Sequence, residues 1–234
     1  MYERLNRPAL RELNGRPVQC RGIDIRKMRI AYLSRSLREF NYEKTINSVL
    51  ELGSGNGFNI LALAALHPEI KMWKGIDLTS AGVAAAGFLL SDLPMKPLRY
   101  VTELDEDIIR ERLSKSDIQF CEGNMLNLPF SDSSFDAVFS CQAIEQLPRD
   151  YPRAFQEARR VAAEGAFFLE EFSEAQNIFQ WMHLQNVDYF CASYQEVQKA
   201  GFKILKFEPF PLNPEHLSLG LCVCSVEQPI KKLQ

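Results

Sequence analysis

Apolar residues recur along the chain in short blocks, and the spacing within each block sets the element it predicts. Residues 48–52 (SVLEL) form an apolar run that ends in glycines, the mark of a short buried strand. Residues 58–66 (FNILALAAL) follow as an apolar helix with Pro68 just beyond its end. Residues 72–76 make a second strand closed by Asp77, and Ser80 is placed to cap an alanine-rich helix over residues 81–90. A polar interval at 91–115 contains Pro94, Pro97 and the acidic cluster Glu103, Asp105, Glu106 and Asp107, and holds a helix at 106–113. Strands are predicted at 118–121, 135–140 and 165–169, with a helix at 151–161. A helix at 194–200, stopped by Gly201, precedes closing strands at 202–207 and 219–226, joined through Pro209, Pro211 and Pro214. The first 43 residues read as helical, with breaks at Pro8, Gly15, Pro17 and Gly22.

Strands alternating with helices imply a mainly parallel sheet covered on both faces. The two closing strands have no helix between them, which implies an antiparallel hairpin at one edge. No domain boundary is expected within residues 48–226. Residues 1–47 are expected to form an N-terminal helical lid or extension, and 48–234 the main domain.

Composition narrows the function classes. Apolar residues make up 46% of the 234, enough for a core. The net charge of −3 speaks against non-specific nucleic-acid binding, which needs a dominant basic surface. The arginines between 21 and 38 alternate with apolar residues and read as the solvated face of an amphipathic helix. No apolar run is long enough to span a bilayer and the N-terminus lacks a secretory pattern, so a cytoplasmic protein is expected. The six cysteines lack metal-ligand spacing, so no metal site is expected and reduced thiols are the reading. Cys222 and Cys224, two apart on a strand, point to one face.

The richest chemistry lies in residues 51–57, ELGSGNG. Gly53, Gly55 and Gly57 sit where a strand turns into a helix, allowing positive φ and close approach of backbone to a ligand. Asp77 ends the next strand twenty residues after the last glycine, where a carboxylate can accept from both hydroxyls of a ribose. A dinucleotide site reads G-x-G-x-x-G; here the spacing is G-x-G-x-G. Glu51, two residues before the first glycine, would repel a pyrophosphate and suits a cationic ligand.

ELGSGNG followed by GIDL resembles the first two motifs of class I S-adenosylmethionine-dependent methyltransferases. Residues 122–140, EGNMLNLPFSDSSFDAVFS, resemble the next two, in the pattern of the small-molecule branch that includes quinone-biosynthesis methyltransferases. The resemblance implies a Rossmann-like three-layer αβα sandwich with a seven-stranded, mostly parallel sheet. It implies S-adenosylmethionine as cofactor, S-adenosylhomocysteine as product and a small molecule as acceptor, and it leaves a homodimer open. By position, Gly53, Ser54, Gly55 and Gly57 would line the methionine part, Glu51 its amino group, Asp77 the ribose, and Leu78 and Met125 the adenine. Asn124 stands where the family usually has aspartate facing the adenine amino group. Cys141 and Gln142 would lie beside the methyl donor. Gln146 replaces a histidine common in relatives and cannot titrate.

A sulfonium is a good leaving group, so the protein's task is alignment and exclusion of water, with a base needed only when the acceptor loses a proton. Of the three histidines, His67 reads as structural, a cation at a helix end, and His216 as inert. His183, Glu145, Glu170 and Glu171 are the acid–base candidates; Glu145, His183 and Glu171 are placed in catalytic roles. Aromatics in residues 172–190 read equally as core and as the wall of an apolar acceptor pocket. Arg29 and Tyr32, one turn apart, are placed to meet the cofactor carboxylate. The alternative function is a non-catalytic methyltransferase-like binding or regulatory protein. A nicotinamide dehydrogenase is disfavoured by the glycine spacing and Glu51.

Overall fold

The computed structural model describes residues 8–13, 16–213 and 218–226. The chain opens with a hairpin, β1 (Pro8–Leu13) and β2 (Arg16–Arg21), and a long helix, α1 (Gly22–Glu43). Then come β3 (Ser48–Leu52), α2 (Phe58–Leu66), β4 (Met72–Asp77), α3 (Ser80–Ser91), α4 (Met95–Thr102), α5 (Glu106–Ser114) and β5 (Asp117–Glu122). They are followed by β6 (Phe135–Cys141), α6 (Tyr151–Val161), β7 (Ala162–Glu170), α7 (Ile178–Asn186), α8 (Gln195–Lys199), β8 (Phe202–Pro209), β9 (Leu212–Asn213) and β10 (Gly220–Val226).

The main sheet has seven strands in the order β5-β4-β3-β6-β7-β10-β8. Strands β5, β4, β3, β6 and β7 pair in parallel, and β10 runs antiparallel between β7 and β8. The predicted antiparallel pair therefore closes the sheet at the β8 edge. Strands β3, β6, β7 and β10 are buried along most of both faces, which is why they read as mainly apolar segments. Val49, Trp73, Phe139, Phe167 and Leu221 face one core, shared with α1, α2 and α5. Leu50, Ile76, Val138, Phe168 and Cys222 face the other, shared with α6 and α8. Cys222 and Cys224 both point into this second core, and all six cysteines are free thiols. Among the described residues no helix is long and apolar enough to cross a membrane.

Three local expectations are corrected. Residues 8–13 and 16–21 form paired antiparallel strands rather than a helix, and belong with β9 to a second, three-stranded sheet. Pro17 disfavours helix, and Val18, Gln19 and Cys20 alternate between half-buried and exposed, the period of a strand. Helix α4 occupies part of the interval read as polar; Pro94 precedes it and Pro97 falls in its first turn, where backbone N–H groups have no helical partner. The cap of α3 is Thr79, whose Oγ1 accepts from Gly82 N at 3.0 Å; Ser80 is the first helical residue.

Helix α1 places Ile23, Ile30, Leu33, Leu37 and Phe40 at three- and four-residue spacing into the first core. A buried polar bridge ties it to α2. His67, at the end of α2, is bonded through Nε2 to Ser34 Oγ at 2.9 Å and through Nδ1 to Glu69 Oε1 at 2.9 Å. Neutral His67 satisfies both if Nδ1–H donates to Glu69 and Nε2 accepts from Ser34. Burial pushes its pKa below the ordinary value, so the cation expected from its place at a helix end is disfavoured. Below the ordinary 6.5 the unfolded chain takes up a proton that the folded chain resists, so this contribution is full above that pH and is lost as pH falls through the window. In chemical denaturation, the wild type is expected to lose more stability on acidification than His67→Gln, the difference opening below about pH 6.5.

Candidate active site

Strand β3 ends at the centre of the sheet, and the next five residues reverse the chain into α2. Gly53, Gly55 and Gly57 hold φ of 67°, 50° and 73°, a region costly for residues with a Cβ. A Cβ on Gly53 would lie 2.4 Å from Ala143 Cβ, and one on Gly57 2.4 Å from the Phe120 ring. Gly55 differs: nothing lies within 4 Å of its Cβ position. The turn is pinned to β4. Ser54 N donates to Ile76 O at 3.0 Å, and Gly55 N to Asp77 Oδ2 at 2.8 Å. Asp77 Oδ1 accepts from Thr79 N at 3.0 Å and Oγ1 at 2.7 Å. Partial burial opposes the Asp77 charge, but these bonds outweigh it and hold the carboxyl below its usual range. Asp77 thus faces the turn.

Glu51 is buried beside the same turn. Its Oε1 accepts from Asn59 Nδ2 at 2.8 Å, while Oε2 has no hydrogen-bond partner among the described residues. Burial pushes its pKa up to about 8, against the Asn59 bond and the charge of Arg26. The Ser54 hydroxyl is likewise buried and without a partner among the described residues. Leu78, directly after Asp77, is 66% exposed, unusual for an aliphatic side chain. Asn124 is exposed and its Oδ1 accepts from Leu126 N at 2.9 Å. Met125 reaches back to the turn, its methyl 3.3 Å from the Cβ position of Gly53.

A second polar group lies at the ends of β6 and β7. Gln142 follows Cys141 with φ of 52°, donating through N to Leu169 O at 3.0 Å and through Nε2 to Glu171 Oε1 at 2.9 Å. Glu170 Oε1 accepts from Ser140 Oγ at 2.6 Å and Ala143 N at 3.2 Å. Glu170 and Glu171 are fully buried, and Oε2 of each lacks a partner among the described residues. Burial raises the pKa of both; for Glu171 the neighbouring Glu170 and Glu145 raise it further. Among the described residues no group of three acidic, histidine or cysteine side chains is arranged to hold a metal ion. His183 lies on the exposed side of α7, and His216 falls outside the described residues. The aromatics divide: Phe172 and Phe190 pack together in the core at 5.5 Å, whereas Phe179, Trp181 and Tyr189 are exposed.

Residues 50–169 match the family model described as a methyltransferase domain. The chain belongs to this family. Methyltransferases of this kind take their methyl group from S-adenosylmethionine. Among curated proteins it is 29% identical over 170 residues to the ubiquinone/menaquinone biosynthesis C-methyltransferase UbiE of Bartonella quintana (strain Toulouse), a match covering 69% of this chain and 63% of that protein. The chain thus matches less than two thirds of that relative's length. Solved structures share the fold: a putative sarcosine dimethylglycine methyltransferase from Galdieria sulphuraria (TM-score 0.61, 13% identity, 86% of this chain and 85% of that one). The [4+2]-cyclase SpnF does so as well (TM-score 0.58, 15% identity, 84% and 81%).

In this methyltransferase domain the ends of β3, β4, β6 and β7 bring together Glu51, the glycine turn, Asp77, Cys141, Gln142 and Glu171. Sequence reasoning missed Asn59, in the first turn of α2, and Ala143 and Arg26, of which the last two reach the turn only through tertiary packing. The glycines make separable predictions. Gly53→Ala, meeting Ala143 in a tight space, is expected to cost about 2 kcal/mol or more in chemical denaturation. Gly55→Ala faces open space and should cost only about 1 kcal/mol, while weakening S-adenosylhomocysteine binding about tenfold or more in calorimetry.

Proposed function

We propose that this chain transfers a methyl group from S-adenosylmethionine to an O, N or C nucleophile of a small-molecule acceptor. The observation that carries the reading is the buried Glu51 with an unpartnered oxygen beside an open glycine turn. A carboxyl in that setting favours a cationic ligand. The residues fit the donor. Glu51 takes its amino group, and the backbone of Gly53, Ser54, Gly55 and Gly57 admits its methionine part. Asp77 accepts from the ribose hydroxyls with the lone pairs its internal bonds leave free. Leu78 and Met125 flank the adenine, Asn124 accepts from the adenine amino group, and Cys141 and Gln142 lie beside the reacting methyl. When bound, S-adenosylmethionine supplies an electrophilic methyl carbon on a sulfonium leaving group.

The protein's own work is to align the acceptor, exclude water and receive a proton where the acceptor loses one. Glu171 is the favoured proton acceptor. It is buried, burial raises its pKa above that of an ordinary glutamate and so makes its carboxylate the stronger base, and one oxygen is unpartnered among the described residues. A hydrogen bond with Glu145 raises the pKa of Glu171 further, and Gln142 Nε2 donates to its Oε1. His183, on α7, is the second candidate for acceptor contact. The relatives' name makes a carbon nucleophile the first to test, and the exposed Ile178, Phe179 and Met182 suit an acceptor with an apolar body.

Two measurements test the reading. Free Glu51 titrates at about 8 and is mostly protonated at neutral pH. An ammonium beside it favours the ionised form, so S-adenosylhomocysteine binding at pH 7 is expected to release about one proton. Calorimetry in buffers of different ionisation enthalpy reads this directly, and Glu51→Gln should abolish it. Methyl-labelled S-adenosylmethionine incubated with a metabolite extract should label a small molecule. Glu171→Gln should slow that transfer about a hundredfold with cofactor affinity nearly intact. No labelled small molecule from any extract, despite tight cofactor binding, would favour a regulatory binding protein instead.

A further inference from the structure

We infer that Arg26 and Arg29 of α1 form a clamp for the α-carboxylate of the donor's methionine end, making the N-terminal helix part of the cofactor site. The inference rests on the donor reading above. The two arginines are three residues apart and lie on one side of α1. The Arg26 guanidinium lies 4.7 Å from the centre of the Phe58 ring. Phe58 opens α2 directly after Gly57, so this charge is held at the glycine turn. The Arg26 charge acts on Glu51 and Cys141 and is opposed by that of Arg29. Arg29 in turn acts on Cys141, so both cations reach the ends of β3 and β6.

Three neighbouring cations of the segment are paired, Arg21 with Asp24, Lys27 with Glu103, and Arg35 with Glu39 and Glu208, whereas Arg38 lies exposed on the same helix. Arg26 and Arg29 form no ion pair among the described residues, and Arg29 Nε is buried without a hydrogen-bond partner there. Two like charges held close in a poorly solvated setting favour an anion between them. Beside them Glu51 has an oxygen that favours a cation. A carboxylate seeking a cation next to two guanidiniums seeking an anion is complementary to the two charges of an α-amino acid. The ammonium goes to Glu51 and the carboxylate to the arginine pair, which can bind it through paired N–H donors. Tyr32, expected from its spacing to share this task, packs edge-on against Phe210 at 5.0 Å with Arg35 stacked on it at 4.5 Å.

Calorimetry on the full chain with three ligands tests the clamp: S-adenosylhomocysteine, its carboxamide, and 5′-methylthioadenosine, which lacks the amino-acid end. Wild type is expected to bind the carboxamide about thirtyfold more weakly than the acid. The double variant Arg26→Gln/Arg29→Gln should lose about thirtyfold in affinity for S-adenosylhomocysteine and leave 5′-methylthioadenosine binding unchanged. Equal wild-type affinity for acid and carboxamide overturns the clamp, and needs no variant to fold. So does a double variant that binds S-adenosylhomocysteine like wild type, or one that loses 5′-methylthioadenosine equally, the mark of a structural role. Wild type that binds none of the three would instead remove the donor reading on which the clamp stands.

Discussion

The bond from Gly55 N–H to the Asp77 carboxylate ties the end of one central strand to the turn that follows its neighbour. The positive φ angles at Gly53, Gly55 and Gly57 keep the chain close to the sheet as it reverses. Phe120 from β5 closes on Gly57, and Ala143 from beyond β6 closes on Gly53. The turn is therefore packed by a side chain of β5 and by the segment that follows β6, and of its three glycines only the middle one faces open space. A groove placed in this way is a consequence of the sheet order: β3 lies between β4 and β6, where the strand order reverses, and crevices form at such switch points.

The charges around this groove differ in kind from those that only hold the fold. Glu157 is as buried as Glu51, yet Arg160 and Arg153 pair with it and Leu128 N donates to it. Its carboxyl is held below the usual range, first by the Arg160 hydrogen bond. Glu51, Glu170 and Glu171 are buried with one oxygen each unpartnered among the described residues, and their carboxyls are pushed upward. Packing alone does not favour that arrangement, since an unpaired buried carboxyl costs stability. The two classes separate by position: Glu157 lies on α6, and the unpartnered acids lie on the central strands, with Glu171 just past the end of β7.

Much of this was legible because the relevant signals are local. The central strands of the main sheet are short, mainly apolar segments, its edge strands β5 and β8 alternate in burial, and each falls where its pattern puts it. Glu51, the glycines and Asp77 occupy one strand–turn–helix–strand stretch, so their spacing already places them together. The opening hairpin was hidden because its alternation is weak and spans few residues. Helix α4 was hidden because it lies in an interval read as polar, with Pro94 and Pro97 at its start. The pairing of Arg26 rather than Tyr32 with Arg29 at the groove depends on how α1 rotates against α2. That rotation is set by Ile30, Leu33 and Leu37 in the core and has no counterpart in the spacing of arginines alone.

Sharing this fold with a cyclase means that the sheet itself does not fix the chemistry. The extent of the family match sharpens the point. It covers residues 50–169, which contain Glu51, the glycine turn, Asp77 and Gln142. It stops before Glu170 and Glu171, before α7 with its exposed Ile178 and Phe179, and it begins after α1 with Arg26 and Arg29. The glycine turn and the two carboxylates beside it thus lie within the shared stretch, and the arginines of α1 outside it. The buried acids at the end of β7 and the apolar face of α7 lie in segments of this chain beyond it. A sheet that aligns one fixed ligand while the flanking segments vary lets one fold serve different acceptors without disturbing the turn on which it depends.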